Sequence, residues 1–426
     1  MNEEEVALEA IQKKLVGKAL SYQEIYAIMD EIAHDRLNKV LTTYFAASGY
    51  SKGFTNEELF FLTKAMVDTG EKLEFSGIVA DKHSIGGVPG TRTTLILVPI
   101  VAAAGYTIPK SSSRAITTPD GTADDMEVLS KVTFTKEELY DIVKKAGGCI
   151  VWGGGFKIAP ADDVLIQVEK PLMFESFDKI IVSVLAKKVA FGSNHVVIDV
   201  PYGPTVKVHS REDAEVIKTK FEYVANKFGI KIKVLPHETE EPAGRGVGPI
   251  LEVQEALRVL EQTSDRPIDL ENRALNLAGE LLGICLESED GQRRQEILQQ
   301  FQTTRDWAKS LLTSGAALKK MQAIISEQGG DTSVTSQSLQ TKLGTFTKDI
   351  TSEVAGKVTA IDSKHTTVLG RMLGAPDQKG AGMFMHKKVG DSVAVGDVLM
   401  TYYSEQEATL QTTIDSTHLY PMFTIQ

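Results

Sequence analysis

The order of apolar and polar positions divides this chain into regions of different period. Over residues 1 to about 70, apolar side chains return at helical spacing, as Leu59, Leu62, Ala65 and Met66 do. Ser21 with Glu24, and Thr55 with Glu58, stand three apart ahead of such runs. At that spacing a hydroxyl and a carboxylate cap a helix start reciprocally. This stretch predicts a small helical lobe. From about residue 75 short apolar runs take over: Ile78, Val79 and Ala80; Cys149, Ile150 and Val151; Val196, Val197 and Ile198; and residues 230–235. They alternate with helical stretches, which predicts an α/β domain with a central parallel or mixed sheet covered on both faces. Residues 177–190 form one amphipathic helical stretch, expected to return the chain to the helical lobe. Residues 327–346 are rich in Gly, Ser, Thr and Gln and predict a linker. Beyond it, residues 356–404 carry short β-like runs broken by glycines. The phrase from Val389 to Leu399 resembles turns of lipoyl and biotinyl carrier domains, but no lysine is flanked as a lipoylation site requires. A structural C-terminal α+β, β-rich domain is expected.

These divisions place the helical lobe at residues 1–72, completed by 161–191. The α/β domain takes 73–160 and 192–330, and the C-terminal domain 345–426. With 426 residues the chain is long enough for two or three domains. A net charge of -11 argues against a nucleic-acid binder, although an acidic protein can still hold a locally basic pocket. Two cysteines, Cys149 and Cys285, lie in apolar stretches and predict buried thiols, not a disulfide framework. The acidic start has no basic n-region and apolar core, and no apolar run is long enough to span a membrane. The expectation is a cytoplasmic protein.

Candidate chemistry concentrates in two segments. The first is Lys82-His83-Ser84-Ile85-Gly86-Gly87-Val88-Pro89-Gly90-Thr91-Arg92-Thr93-Thr94, between a predicted strand and an apolar helix. Glycines such as Gly86 and Gly87 let a loop approach an anion, and the following helix start points free N–H groups at it. Lys82 adds a point charge; Ser84 and Thr94 add hydroxyl donors. The second runs from Ser111 to Thr122, again between an apolar run and a helix, and gathers Ser113, Arg114, Thr117, Thr118 and Thr122, hydroxyls beside one arginine that suit an oxyanion site for phosphate. Two such loops after parallel strands meet at the carboxyl edge of the sheet, where open α/β folds bind ligands. There is no Walker A loop, Gly-x-Gly-x-x-Gly fingerprint, Cys-x-x-Cys or His-Glu-x-x-His, and the Gly-x-Ser-x-Gly at Gly49 to Gly53 lies in the helical stretch, not between a strand and a helix, so neither a metal site nor a serine hydrolase is expected.

These residues resemble a known family. Lys82-His83-Ser84-x-Gly86-Gly87, the hydroxyl loop to Thr122, and Ser183-Val-Leu-Ala-Lys187-Lys188 are similar to the thymidine and pyrimidine nucleoside phosphorylases. The nearer match is to the branch of archaeal AMP phosphorylases and bacterial thymidine phosphorylase homologues. It is carried by Gly86-Gly-Val-Pro-Gly-Thr-Arg-Thr-Thr94, Ser112-Ser-Arg-Ala-Ile-Thr117, His195-Val-Val-Ile-Asp-Val-Pro201, Gly374-Ala-Pro376 and Lys379-Gly-Ala-Gly382. The resemblance implies a pentosyltransferase, usually a homodimer, that splits a nucleoside or nucleotide with orthophosphate as co-substrate and no cofactor. Phosphate would bind on the α/β side and the base on the helical side. Lys82, Ser84, Thr94 and Thr122 fall where the family holds phosphate; His83, Ser183 and Lys187 fall where thymidine phosphorylases contact the base. In the AMP phosphorylase branch, Gly87, residues 113–118, Thr122, Ser183 and Lys207 correspond to nucleotide contacts, which makes Lys207 a candidate for a 5′-phosphate.

The sequence departs from this pattern in three places. Glu175 stands where that branch has a proton-donating aspartate. Gln167 stands where family members have an arginine on the base side. The additional N-terminal domain of the AMP phosphorylases has no counterpart in this sequence. The proton donor is left open between Glu175 and His83. A phosphoribosyltransferase on an aromatic amine is a further alternative, though it would want acidic residues for magnesium where Lys82 and His83 stand. A non-catalytic nucleotide sensor is another.

Overall fold

The computed structural model describes residues 3–169 and 176–426. Local sequence signals set the first elements. The helix Tyr22–Ala33 starts on Ser21 and Asn56–Asp68 on Thr55, each with the reciprocal capping box that their glutamates allow. Together with Glu3–Leu15, Lys39–Lys52, Pro160–Glu169 and Phe177–Ala190 they form the helical lobe. The last two return to it from the α/β region, and Ala161, Leu165, Ile181 and Leu185 share a core with Ile28 and Leu59.

Five strands build the central sheet: β1 (Ala80–Ser84), β2 (Ile108–Ser112), β3 (Gly148–Trp152), β4 (His195–Tyr202) and β5 (Lys231–Glu238). β1, β4 and β5 pair in parallel, as do β2 and β3, and a parallel bridge between Val79 and Thr107 joins the two groups. The spatial order is β3-β2-β1-β4-β5. β4 shows why its sequence is apolar at successive positions. Val196, Ile198 and Val200 pack toward the helical lobe, while Val197 packs toward the helices Thr93–Ala103 and Ile268–Leu286 on the other face.

The next strand, β6 (Gly246–Val247), leaves the α/β chain to join a second sheet. Six more follow: β7 (Phe346–Thr351), β8 (Gly356–Ile361), β9 (Gly382–Met385), β10 (Ser392–Val393), β11 (Val398–Ser404) and β12 (Phe423–Ile425). They form antiparallel sheets in the orders β6-β9-β11-β7 and β10-β8-β12, packed with the helices Ser363–Met372 and Glu407–Ser416. The C-terminal region is thus β-rich and takes one strand from its neighbour.

The expected linker over 327–346 is instead packed. Gln328, fully buried, accepts from Ile150 N and donates to Ile150 O and Lys131 O. Leu339 and Leu343 enter the large core, and Ser336 N donates to Glu261 at 3.0 Å. Sparse leucines and polar groups that satisfy buried backbone give this segment a linker's composition but a fixed place. Cys149 and Cys285 are free and buried. No helix among the described residues is long and apolar enough to cross a membrane.

Candidate active site

All five strands of the central sheet end at one cleft of about 1610 Å³, which the helical lobe closes from the far side. Its walls draw on residues that follow β1, β2, β3, β4 and β5, the edge at which parallel sheets bind ligands. Gly86 and Gly87 have φ of +84° and +90°, which a side chain rarely tolerates. They turn the first loop over the sheet edge. There it meets the second loop: a Cβ on Gly86 would lie 3.7 Å from Thr117 Oγ1. A Cβ on Gly87 would lie 3.1 Å from the backbone N of Lys207, so the turn after β4 closes on the same point.

Lys82, Ser84, Gly86, Thr94, Ser113, Arg114, Thr117, Thr118 and Thr122 all line the cleft, with His83, Gln167, Ser183, Lys187 and Lys207. Gly87 lies behind it against Lys207. Glu175 lies outside the described residues. Lys82 is buried and donates to Thr93 Oγ1 at 3.0 Å, not to Thr94. Burial pulls its ammonium down to about 8; Asp199 opposes this, while Arg273, Arg92 and Lys188 add to it. The His83 imidazole is held well below the usual histidine range, first by burial and then by Lys188, Lys110, Lys82 and Lys187. Arg114, singled out as an oxyanion ligand, faces the cleft but its guanidinium is engaged by Glu127 at 2.8 Å and Asp124 at 3.0 Å. Those two carboxylates stand in the helical stretch that follows the loop and take up its charge.

The opposite wall has a different character. Asp162, fully buried, accepts from Ser183 Oγ at 2.7 Å and pairs with Lys187 Nζ at 2.7 Å, and Lys187 also donates to Ser183 at 3.2 Å. Burial lowers the Lys187 ammonium, but Asp162 outweighs it and holds the group above the usual lysine range. Asp163 and Gln167, four residues apart on the helix Pro160–Glu169, both line this wall.

The structure adds residues to which the sequence analysis gave no role. Lys110, buried in the middle of β2, lines the cleft. Lys188 pairs with Asp81 at 2.8 Å, both fully or almost fully buried, and Ser193 donates to the same carboxylate. Asp199 on β4 is paired with Arg273 at 2.5 Å, and the His237 ring lies 3.1 Å from it. Arg92 sits among three buried carboxylates, ion-paired with Asp120 at 2.5 Å, Glu252 at 3.0 Å and Asp125. Gly90 N also donates to Glu252, so this cluster ties the first loop to the approach of the second.

Comparisons with known proteins agree with this architecture. Residues 8–70 match the helical bundle domain of a glycosyl transferase family and residues 76–318 its a/b domain. Residues 357–419 match the pyrimidine nucleoside phosphorylase C-terminal domain. The chain belongs to this glycosyl transferase family. It is an enzyme of glycosyl transfer whose relatives include proteins of Legionella pneumophila (strain Paris) and Rhodopseudomonas palustris (strain BisB18), each named "Putative thymidine phosphorylase". The first is 40% identical over 96% of this chain and 76% of the relative; the second is 40% identical over 98% and 78%. A relative of the same name from Bradyrhizobium diazoefficiens is 42% identical over 93% of this chain and 74% of its own. Among solved structures, anthranilate phosphoribosyltransferase from Thermus thermophilus shares the fold, with a TM-score of 0.61 at 17% identity over 75% of this chain and 99% of that one.

Proposed function

We propose that this chain cleaves the N-glycosidic bond of a pyrimidine nucleoside with orthophosphate, giving free base and (deoxy)ribose 1-phosphate. The observation that carries the reading is the meeting of two strand-tip loops, Gly86 against Thr117, beside a buried lysine. The names of the bacterial relatives and the matched C-terminal domain support it.

In this reading Lys82, Ser84, Thr94 and Thr122 hold the phosphate under the sugar, beside the close-approaching backbone of the glycine turn. A phosphate oxygen bonds to C1′ as the C1′–N bond breaks. The electron pair of that bond leaves with the base, which takes up a proton. Holding the nucleophile in line removes much of the entropic barrier. Ser183 and Lys187, oriented by Asp162, contact the base, and Gln167 offers an amide from the same wall. His83, kept neutral by burial and surrounding lysines, is a hydrogen-bonding partner, and Glu175 delivers the proton. Glu175→Gln is then expected to lower turnover at least about a hundredfold. Wild-type turnover in that variant would return the role to His83, with His83→Ala as the matching measurement.

The position of Lys207 against Gly87 favours a second reading, in which the substrate is a nucleoside 5′-monophosphate and the product a ribose 1,5-bisphosphate. Base release from thymidine, uridine, cytidine, AMP, CMP and UMP, with and without phosphate, separates the two. Turnover of monophosphates alone selects the second reading. No phosphate-dependent release from any of them removes both, and transfer only from phosphoribosyl pyrophosphate would make this a phosphoribosyltransferase.

A further inference from the structure

The C-terminal domain is distant in sequence from both loops of the cleft, yet it grips the second of them. On the helix Ser363–Met372, Arg371 Nη2 donates to Ile116 O at 2.8 Å and to Thr118 O at 3.2 Å. One residue earlier, Gly370 is packed so closely on the loop that a Cβ would lie 2.7 Å from Pro119 Cγ. Arg371 also lines the cleft. The same domain reaches the other cleft turns: Ser363 N donates to Thr205 Oγ1 at 3.1 Å, two residues before Lys207, and Val389 N to Glu241 at 2.8 Å.

A loop that turns N–H and hydroxyl donors toward a ligand leaves carbonyls on its outer side, and these need donors of their own. Arg371 supplies them from one nitrogen, Nη2. The geometry has a directional consequence. In a planar trans peptide the carbonyl of one residue and the N–H of the next point opposite ways. Drawing Ile116 O onto Arg371 therefore turns the Thr117 N–H away from the C-terminal domain. Thr117 is also the residue whose hydroxyl meets the first loop at Gly86.

We propose that Arg371 is a positioning residue for loop 113–118, so that the C-terminal domain sets the binding geometry of the cleft. This rests on the reading of that loop as one that holds substrate. Arg371 acts through Ile116, Thr117 and Thr118, and Gly370 is the close contact that lets its helix sit at the right height.

The experiment uses the intact chain and separates KM from kcat for each co-substrate. Arg371→Met is expected to raise KM for the nucleoside, its monophosphate or phosphate about tenfold, with kcat within about twofold and the melting temperature held. Arg371→Lys, which can still reach one carbonyl, recovers part of the loss. Gly370→Ala removes no polar group but presses on Pro119, and it is expected to raise the same KM. Calorimetric titration with inorganic phosphate and with thymidine reads the same loop without turnover, and one of the two should weaken about tenfold in Arg371→Met. Unchanged constants in that variant, or a fall confined to kcat and melting temperature, overturn the proposal while the functional reading stands. A wild-type protein that binds neither probe and releases no base overturns both.

Discussion

Lys82 and Lys187 face one cleft from opposite walls and are held in opposite electrostatic states. Lys82, in the middle of β1, bonds the Thr93 hydroxyl and has its ammonium pulled down to about 8 by burial. Lys187, on the helix Phe177–Ala190, is paired with a fully buried aspartate and held above the usual lysine range. A buried cation without a carboxylate partner is costly, and the cost is relieved when an anion arrives. A cation already neutralised gains little from an anion; what it offers is a fixed donor beside Ser183. In the proposed reading the α/β wall serves charge and the helical wall orientation, which would let a chain of net charge -11 present an anion site.

The sharpest way to break this contrast is to remove each partner in turn. Lys82→Met keeps the bulk and deletes the charge, and it is expected to lower kcat/KM for phosphate about a thousandfold. Initial rates against phosphate concentration check it, and a loss felt equally by the nucleoside constant would make the residue structural. Asp162→Asn acts on the other wall. It takes away the charge that pairs with Lys187 and leaves Ser183 and Lys187 to share one amide oxygen, so kcat/KM for the nucleoside should fall about a hundredfold while phosphate affinity changes little. Equal losses on both co-substrates would erase the distinction between the walls.

How much of this the chain disclosed beforehand follows from the range of each interaction. The caps at Ser21 and Thr55 close within three residues and were legible, as was β4 from its apolar run Val196 to Ile198. The glycine and hydroxyl loops were legible because turn chemistry and donor groups sit together along the chain. Asp162 was not, since its partners stand 21 and 25 positions away on another helix, nor was Asp81, which meets Lys188 across 107. Arg114 misled in the other direction: its charge was visible, but Asp124 and Glu127, in the helical stretch beyond the loop, claim it. The packed segment at 327–346 read as a linker because Gln328 works through backbone hydrogen bonds, for which composition has no signature.

Lys207 sharpens the comparison by extending the charged wall outward. It is half-buried, with its backbone against Gly87 at the edge of the anion loops. Lys207→Glu is expected to cut kcat/KM for a 5′-monophosphate about thirtyfold and to leave the corresponding nucleoside within about twofold. Parallel assays on UMP and uridine decide it. Equal activity on the monophosphate before and after charge reversal would confine the charged wall to the orthophosphate position.

The smallest effect tests the electrostatic state directly. kcat/KM for phosphate reports the free enzyme, in which Lys82 loses its proton near pH 8. The charged ammonium is the form that attracts phosphate, so the parameter, expressed per phosphate dianion, should be level below that pH and fall about tenfold per unit above it. Lys187, held higher by Asp162, stays charged through the same window and contributes no limb. Lys179 is the rival assignment, since burial brings it also to about 8 and it faces the cleft from the helical lobe. Arginine keeps its charge throughout this range, so substitution separates the two. Lys82→Arg should abolish the alkaline limb, at reduced absolute rate, while Lys179→Arg leaves it in place. The reverse result would move the sensitive cation to the helical wall and invert the contrast between the two sides of the cleft.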